Sequence, residues 1–544
     1  MKKTIATISL LAIPLCLAIT ISGCSKADKD SSPSASTPES TSDTFMFGET
    51  PVKFSFYGNY DWYTMQPWGE DPASKWIKEN KKVTVTPVPA QGASVQKFNT
   101  MVASGDLPDV LWMDRGPLVE KLRQAGKLVP LDDYLNKYPN LKKYAGEETL
   151  NMLRADDGKL YQFPNWYTST PMGNGGYMIN KKIYKELGSP KLETFEDLYS
   201  YLKLVKLKAP GVVPLDIGYG TQGISVLYSG FGEDHTSAYT SYGFVPSGNE
   251  LKSIFADSVF KETIMYASKL FREKLITQDA LTQTKDQVVE KLNTGKVAVY
   301  ASYDTADLGS QATVTLKQTD PDAGYQMIWP LHKEGVDPNK VYPNNYDTIG
   351  WNVNVITTSA KNPEGIFAYL DWLTGEEGQR IIFWGPEGLY WKGTEKDGAP
   401  IWTEKFKTDV EERTKFMAIT DSFQWAGNTS FIDLSKSSNN MKLPEGQRDW
   451  AAEAQLTIAW KTSYNTTQFS NLTPDPATTE GKTLQKVADI ETSVIAKGLY
   501  GGSDVEVEKI IADGENSANK AGYEKLLQYE TQKWQENLKR IKKN

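Results

Sequence analysis

The sequence predicts an α/β protein of two lobes, each built on a mainly parallel sheet. Three observations predict it. Between residues 52 and 113, strand-like and helix-like segments alternate, the signature of a parallel layer covered by helices. The alternation returns further along the chain without the fixed period of a solenoid. A chain of 544 residues also exceeds what one ordinary core holds.

Val52-Lys53-Phe54-Ser55-Phe56-Tyr57 alternates like a strand and ends at Gly58. Asp71 as N-cap and Pro72 at the first helical position open a helix carrying Trp76 and Ile77. Residues 83–86 form a second strand. Ser94 is expected to cap a helix with Val95, Phe98, Met101 and Val102 at helical spacing, stopped by Gly105 and Pro108. Val110-Leu111-Trp112-Met113 is the third strand. Thr194-Phe195-Glu196-Asp197 resembles a capping box ahead of Leu198, Leu202 and Val205, and Pro210-Gly211 breaks that helix. Asn293-Thr294-Gly295-Lys296 turns into the strand Val297-Ala298-Val299-Tyr300. Asn362-Pro363 starts a helix with Phe367, Leu370 and Leu373 inward, ending near Gly375. Residues 504–543 read as helices with charged outer faces.

The chain begins Met1-Lys2-Lys3, continues apolar over 5–21 and reaches Ser22-Gly23-Cys24, the pattern of an export signal. With a cysteine at its end it resembles a bacterial lipoprotein signal. The resemblance implies a signal peptide over 1–23, cleavage before Cys24, diacylglycerol on the Cys24 sulfur, and tethering at the extracellular face of the cell membrane. An ordinary secretory peptide or a transmembrane anchor is the alternative. The polar segment from Ser25 to Thr44 argues against both, because it offers nothing for a core. Residues 24–48 are therefore read as the lipidated cysteine and a disordered linker. Such a leash holds the body roughly 25 Å from the membrane on random-coil scaling. Two acyl chains hold stably where one does not.

Composition bounds the rest. With 39% hydrophobic and 24% charged residues and mean hydropathy −0.48, the body is globular and soluble. No later segment has the apolar run of a membrane span. A net charge of −8 disfavours nucleic acid or an acidic polymer as partner, although a local arginine can outweigh the bulk field for one acidic sugar. Cys16 and Cys24 are the only cysteines, which excludes disulfides, cysteine catalysis and cysteine–metal sites from the mature body. His235 and His332 lie far apart, read as surface residues, and cannot assemble a multi-histidine metal centre. No cofactor and no metal are predicted.

Several motifs resemble those of family 1 extracellular solute-binding proteins. Lys97 to Val110 contains helix–Gly105-Asp106-Leu107-Pro108-Asp109–strand. Tyr161-Gln162-Phe163-Pro164 and Tyr177-Met178-Ile179-Asn180-Lys181 match the family's proline crossover and its strand-to-helix step. Leu187-Gly188 before Thr194-Phe195-Glu196-Asp197-Leu198 matches the next helix. Leu292-Asn293-Thr294-Gly295-Lys296-Val297-Ala298-Val299 follows, with Val299 where methionine is usual. Lys361-Asn362-Pro363-Glu364, Trp372-Leu373 and Trp384-Gly385-Pro386-Glu387-Gly388 match the closing helix and its glycine loop. The pieces occur in family order from about residue 52 to 390, and the C-terminal part resembles the large oligosaccharide-binding lipoproteins of Gram-positive bacteria.

The resemblance implies a periplasmic-binding-protein-like fold of type II. Its N-lobe would comprise 49–165 plus about 326–390, and its C-lobe 166–325 plus about 391–544, with ligand in the cleft between them. Ligands of open α/β sheets sit beyond the carboxyl ends of strands. The residues there are Asn59, Tyr60, Asp61 and Trp62; Asp114 and Arg115, with Trp112 at the strand's end; Asn165, Trp166 and Tyr167; Tyr303 and Asp304; Tyr346, Asp347 and Trp351; Trp384; and Trp425. A pyranose lays its C–H face on an aromatic ring and offers edge hydroxyls to Asp, Asn and Arg. Core packing is the competing fate of each aromatic, and about half are expected buried. Trp112 and Trp351, inside apolar runs, are foremost among these. Trp62, Arg115 and Trp166 have polar neighbours and are the preferred ligand contacts.

The function implied is capture of an oligosaccharide and its delivery to the transmembrane subunits of an ABC permease. The protein would be a non-enzymatic monomer touching the membrane only through its lipid. A peptide or other non-sugar solute is one alternative. A surface-anchored glycosidase is another; it needs two carboxylates roughly 5–10 Å apart. With 68 acidic residues counting cannot exclude the pair, but no glycosidase motif accompanies it. Some alginate-binding relatives carry a calcium loop after the helix corresponding to 194–207. Here Lys206-Leu207-Lys208-Ala209-Pro210-Gly211-Val212-Val213-Pro214 offers almost no side-chain oxygen.

Overall fold

The computed structural model describes residues 45–168, 171, 173–431, 440–444 and 448–542. The leader, Cys24 and the linker through residue 44 lie outside them. Residues 46–48, expected as linker, already belong to the body: Glu49 and Thr50 donate backbone N–H to Met46 O, and the Phe47 ring lies 6.1 Å from Trp372.

The principal elements, in chain order, are β1 (Val52–Gly58), α1 (Pro72–Asn80), β2 (Val83–Pro87), α2 (Ser94–Ser104), β3 (Val110–Asp114), α3 (Pro117–Gln124), α4 (Asn140–Leu153), β4 (Phe163–Asn165), β5 (Gly176–Asn180), α5 (Phe195–Lys208), β6 (Val213–Asp216), α6 (Ser258–Arg272), β7 (Val297–Ser302), α7 (Thr305–Lys317), β8 (Tyr325–Ile328), β9 (Asn352–Ile356), α8 (Pro363–Thr374), α9 (Glu376–Trp384), α10 (Thr479–Leu499), α11 (Asp504–Lys520) and α12 (Tyr523–Ile541). They form the predicted two-lobed α/β fold, but its sheets are mixed where mainly parallel ones were expected, because the crossing strands enter each antiparallel. The first sheet has the order β2-β1-β3-β9-β4, with β1, β2 and β3 parallel and β9 antiparallel to β3 and β4. The second has the order β8-β5-β7-β6, with β7 parallel to β6 and β5 antiparallel to β7 and β8. The chain thus leaves the first sheet after β4, builds the second, and returns as β9.

Local chemistry explains these boundaries. Asp71 accepts from Ala73 and Ser74 N–H at the start of α1, as its sequence suggests. Ser94, expected as a cap, is instead the first residue of α2; its N–H is held by Asp61 Oδ1 at 2.7 Å, a cap supplied from another loop. Gly105 ends α2 in the left-handed conformation. Asp109 accepts from both the N–H and the hydroxyl of Ser55, tying β3 to β1. Thr194 and Asp197 form the expected capping box of α5, and Asn362 caps α8 through Gly365 N–H. Asn180, the last residue of β5, caps the following helix through Ile183 N–H.

The sheets place two of the expected boundaries differently. Residues 325–328 are β8 of the second sheet, although the N-lobe was expected to resume at about 326. Residues 391–425, expected in the C-lobe, pack on the first: Trp391 lies 5.3 Å from Trp384 of α9, and Trp425 stacks on Phe56 of β1 at 3.9 Å. Helices α10 to α12 bury Val494, Ile495, Ile511 and Trp534 in one core with Phe195, Phe260 and Leu215 of the second lobe. Within it Glu491 and Glu530 are buried without an ion pair among the described residues, and loss of water pushes each carboxyl up to about 8. No described helix is long and apolar enough to cross a membrane.

Candidate functional site

β1 ends at Gly58, where an added Cβ would fall 2.3 Å from the Tyr63 ring. That close approach folds residues 59–63 back over the carboxyl edge of the sheet, with Tyr63 N–H bonded to Tyr60 O. β3 ends at the same edge with Asp114. Because β9 runs antiparallel, its first residue, Asn352, pairs with both Asp114 and Asn165, so Trp351 arrives there too.

These residues build an aromatic platform. Tyr60 and Trp62 stack at 5.1 Å, and Trp62 and Trp351 lie nearly parallel at 6.1 Å. Trp112 stands edge-on beneath all three. Trp112 is buried, but Trp62 is 63% and Trp351 51% exposed, and they are the only exposed tryptophans of the fifteen. Apolar rings left in water at a strand edge call for a ligand or partner.

A directional hydrogen-bond chain supports the platform. Gly427 N–H donates to Asn165 Oδ1 (2.6 Å), and Asn165 Nδ2 donates to Asn352 Oδ1 (2.9 Å). Asn352 Nδ2 then donates to the Tyr60 hydroxyl (3.0 Å), which donates to Asp114 Oδ1 (2.7 Å). Burial, then the bond to Asp114, push the Tyr60 phenol far above its ordinary value, so it stays a donor.

Arg115 anchors the turn that carries Trp351. Its guanidinium donates to Gly350 O at 2.6 Å and to Asn471 Oδ1 at 3.4 Å, and lies 3.7 Å from Asp347 Oδ2. Asp347 Oδ1 accepts from Ile349 and Gly350 N–H. Burial lowers the Arg115 pKa and raises that of Asp347; each opposes the other's shift, but across this distance the attraction does not offset lost hydration. Gly350 has φ +76°, and a Cβ there would meet Asn165 O at 2.2 Å.

At the carboxyl end of β7, the Tyr300 hydroxyl donates to Asp304 Oδ1 (2.7 Å), while Asp304 Oδ2 is enclosed without a partner. Tyr303 donates to Ser237 O, and Tyr346 lies in a short strand, Asn344–Tyr346, paired with Ser463–Asn465.

The remaining candidates divide. Asn59 is half-buried, and Asp61 is exposed but occupied in capping α2. Trp166, φ +55°, is half-buried against Phe383 and Gly427 rather than open in a polar surround. Four candidates lie in the interior. Tyr167 bonds Thr374, Trp384 packs with Trp391 and Trp402, Trp425 lies between Phe56 and Trp68, and Asn165 is buried in the hydrogen-bond chain. Trp351 corrects the other way: expected in the core, it is exposed because it precedes the strand instead of lying within it. His235 is not a simple surface residue; its ring is half-buried beside Asp257 and Tyr228, and His332 is half-buried with Nδ1 enclosed. Tyr60, expected at this edge, and Asn352, which was not among the candidates, complete the platform. The signal for Asn352 was available, since asparagine is disfavoured inside a strand. Among the described residues no group of three or more histidines or carboxylates is placed to hold a metal.

The profile of the family described as bacterial extracellular solute-binding protein matches residues 63–380, more than half of the chain. Over 443 residues the chain is 23% identical to the polygalacturonan/rhamnogalacturonan-binding protein YtcQ of Bacillus subtilis, covering 76% of this chain and 80% of that one. Over 240 residues it is 28% identical to the fructooligosaccharide ABC transporter substrate-binding protein FusA of Streptococcus pneumoniae, covering 39% of this chain and 43%, less than half, of that one. The crystal structure of an extracellular solute-binding protein from Bifidobacterium longum subsp. infantis shares the fold, with TM-score 0.65 at 18% identity over 91% of this chain and 99% of that one. With more than half of its length matching that profile and both lobes matching that architecture, this chain belongs to the bacterial extracellular solute-binding proteins.

Proposed function

We propose that this protein is a lipid-anchored receptor at the extracellular face of the membrane that captures an oligosaccharide and delivers it to an ABC import permease. The observation that supports this most is the exposed Trp62–Trp351 pair, backed by Trp112 and flanked by Tyr60, Asp114 and Arg115. Flat apolar rings beside fixed polar groups match the two faces of a pyranose. The names of FusA, a fructooligosaccharide ABC transporter substrate-binding protein, and YtcQ, a polygalacturonan/rhamnogalacturonan-binding protein, support the sugar class without fixing whether the sugar is neutral or acidic. The lipoprotein-like signal ending at Cys24 supports lipidation there and retention outside the cell, and a related chain in Bacillus subtilis is called Lipoprotein LipO. Closure of the lobes follows where ligand makes contacts in the closed form that the open form lacks.

A thermal-shift panel of oligosaccharides and peptides on the detergent-purified chain tests the reading. Ligand at a hundredfold its Kd stabilises by about 2.7 kcal/mol, and the sugar is expected back unchanged by chromatography. Stabilisation by peptides alone, or turnover of the bound sugar to smaller products, overturns it.

A further inference from the structure

We infer that the cleft takes a neutral oligosaccharide and excludes uronic-acid chains, with Asp114 as the residue that discriminates. This rests on the oligosaccharide reading above.

The charges at the carboxyl ends of the strands carry the inference. In residues 59–63, 114–115, 303–307 and 343–351 stand Asp61, Asp114, Asp304, Asp307 and Asp347, against a single cation, Arg115. Arg115 is a poor receptor for a carboxylate: its guanidinium already donates to Gly350 O and, at 3.4 Å, to Asn471, it lies 3.7 Å from Asp347, and its Nε is enclosed without a partner. A uronate needs a planar fork with both donors free.

Asp114 is bonded directly to the platform. It is exposed, and it accepts from Tyr60, whose ring lies 5.1 Å from Trp62 and 5.6 Å from Trp351. Every donor in the chain from Gly427 points toward Asp114, so the residue ends that chain as an acceptor. Asp304, on the other sheet's edge, is likewise an acceptor on the Tyr300 hydroxyl. A neutral sugar presents hydroxyl donors to such groups. A uronate presents another acceptor carrying like charge, which is disfavoured wherever water is displaced.

The test measures affinities by calorimetry for pairs of oligomers equal in length and linkage and differing only at C6, such as galactose against galacturonate and glucose against glucuronate trimers. The full-length protein is compared with Asp114→Asn. The neutral member of each bound pair is expected to bind at least about tenfold tighter, with the ratio shrinking in Asp114→Asn and at high salt. A uronate that binds as well as or better than its neutral partner overturns the inference while leaving the sugar reading intact. A ratio unchanged in Asp114→Asn removes Asp114 from the role. No stabilisation by any sugar, alongside stabilisation by another solute class, overturns both readings and is distinguishable from either.

Discussion

Replacing Trp62 with alanine removes the most exposed ring of the platform, and its effect can be worked from the structure. A tryptophan covers about 150–250 Å² when fully buried. Trp62 keeps 63% of its surface in water, so on the order of 100 Å² is open to a ligand. A sugar ring covering half of that, at about 25 cal/mol per Å², gains roughly 1–1.5 kcal/mol, and the ring–C–H geometry adds to it. Kd is therefore expected to rise about tenfold to thirtyfold. The part of Trp62 already packed, against Tyr60, Trp112 and Trp351, is smaller, so unfolding stability falls by only about 1–2 kcal/mol. Trp166→Ala supplies the contrast, because that half-buried ring packs on Phe383 and its loss is expected to lower stability more than affinity. The assay is calorimetric titration with the best sugar from the panel, paired with urea unfolding of the same variants. Affinity within twofold of wild type in Trp62→Ala, with the fold intact, would falsify the placement of the ligand on this platform.

Arg115→Lys is expected to weaken sugar binding several-fold and to lower the melting temperature, because an ammonium cannot hold Gly350 O and Asn471 together and Trp351 rides on that turn; near-UV circular dichroism reports the loosened ring. Glu491 is neutral when buried, with its pKa pushed up to about 8, against about 4.3 in an unfolded chain. The native state then holds the extra proton between those values, so the stability it contributes is full below the unfolded value and lost as pH rises through about 8. Urea midpoints are expected to fall between pH 5 and pH 9 and to fall less in Glu491→Gln, leaving the same-signed contribution of Glu530; equal slopes in the two proteins would remove Glu491 from the account. Cys24→Ser is expected to release the protein from the membrane fraction with sugar affinity unchanged, and retention after a high-salt wash would mean a different anchor.

The legible part of this chain was its scaffold, and the reason is that scaffold signals are local. A cap needs its partner two or three residues away, so Asp71, Thr194 and Asn362 announce α1, α5 and α8 within one turn. The family-like motif residues serve architecture in the same way: Asp109 ties β3 to β1, and Asn180 caps the helix after β5. Ser94 shows the limit, since its real cap, Asp61, comes from more than thirty residues upstream.

The site depends on register between strands far apart in sequence, and hydropathy does not report register. Trp351 and Trp425 both sit in short runs that read alike, yet one opens to solvent and the other stacks on Phe56 at full burial. What separates them is that β9 enters the first sheet antiparallel between β3 and β4, so the residue just before it projects over the edge where the parallel strands end. The same insertion places Asn352 opposite Asp114 and Asn165 and completes the hydrogen-bond chain under Tyr60. A two-residue slip of β9 would keep its inward face and still break that chain, because Asn354 would take the place of Asn352 while Trp351 moved off the edge. The platform is therefore a property of the returning strand's register, and substitutions that loosen β9, such as Val353→Ala or Val355→Ala in its buried face, are expected to cost ligand affinity as well as stability although neither side chain belongs to the site.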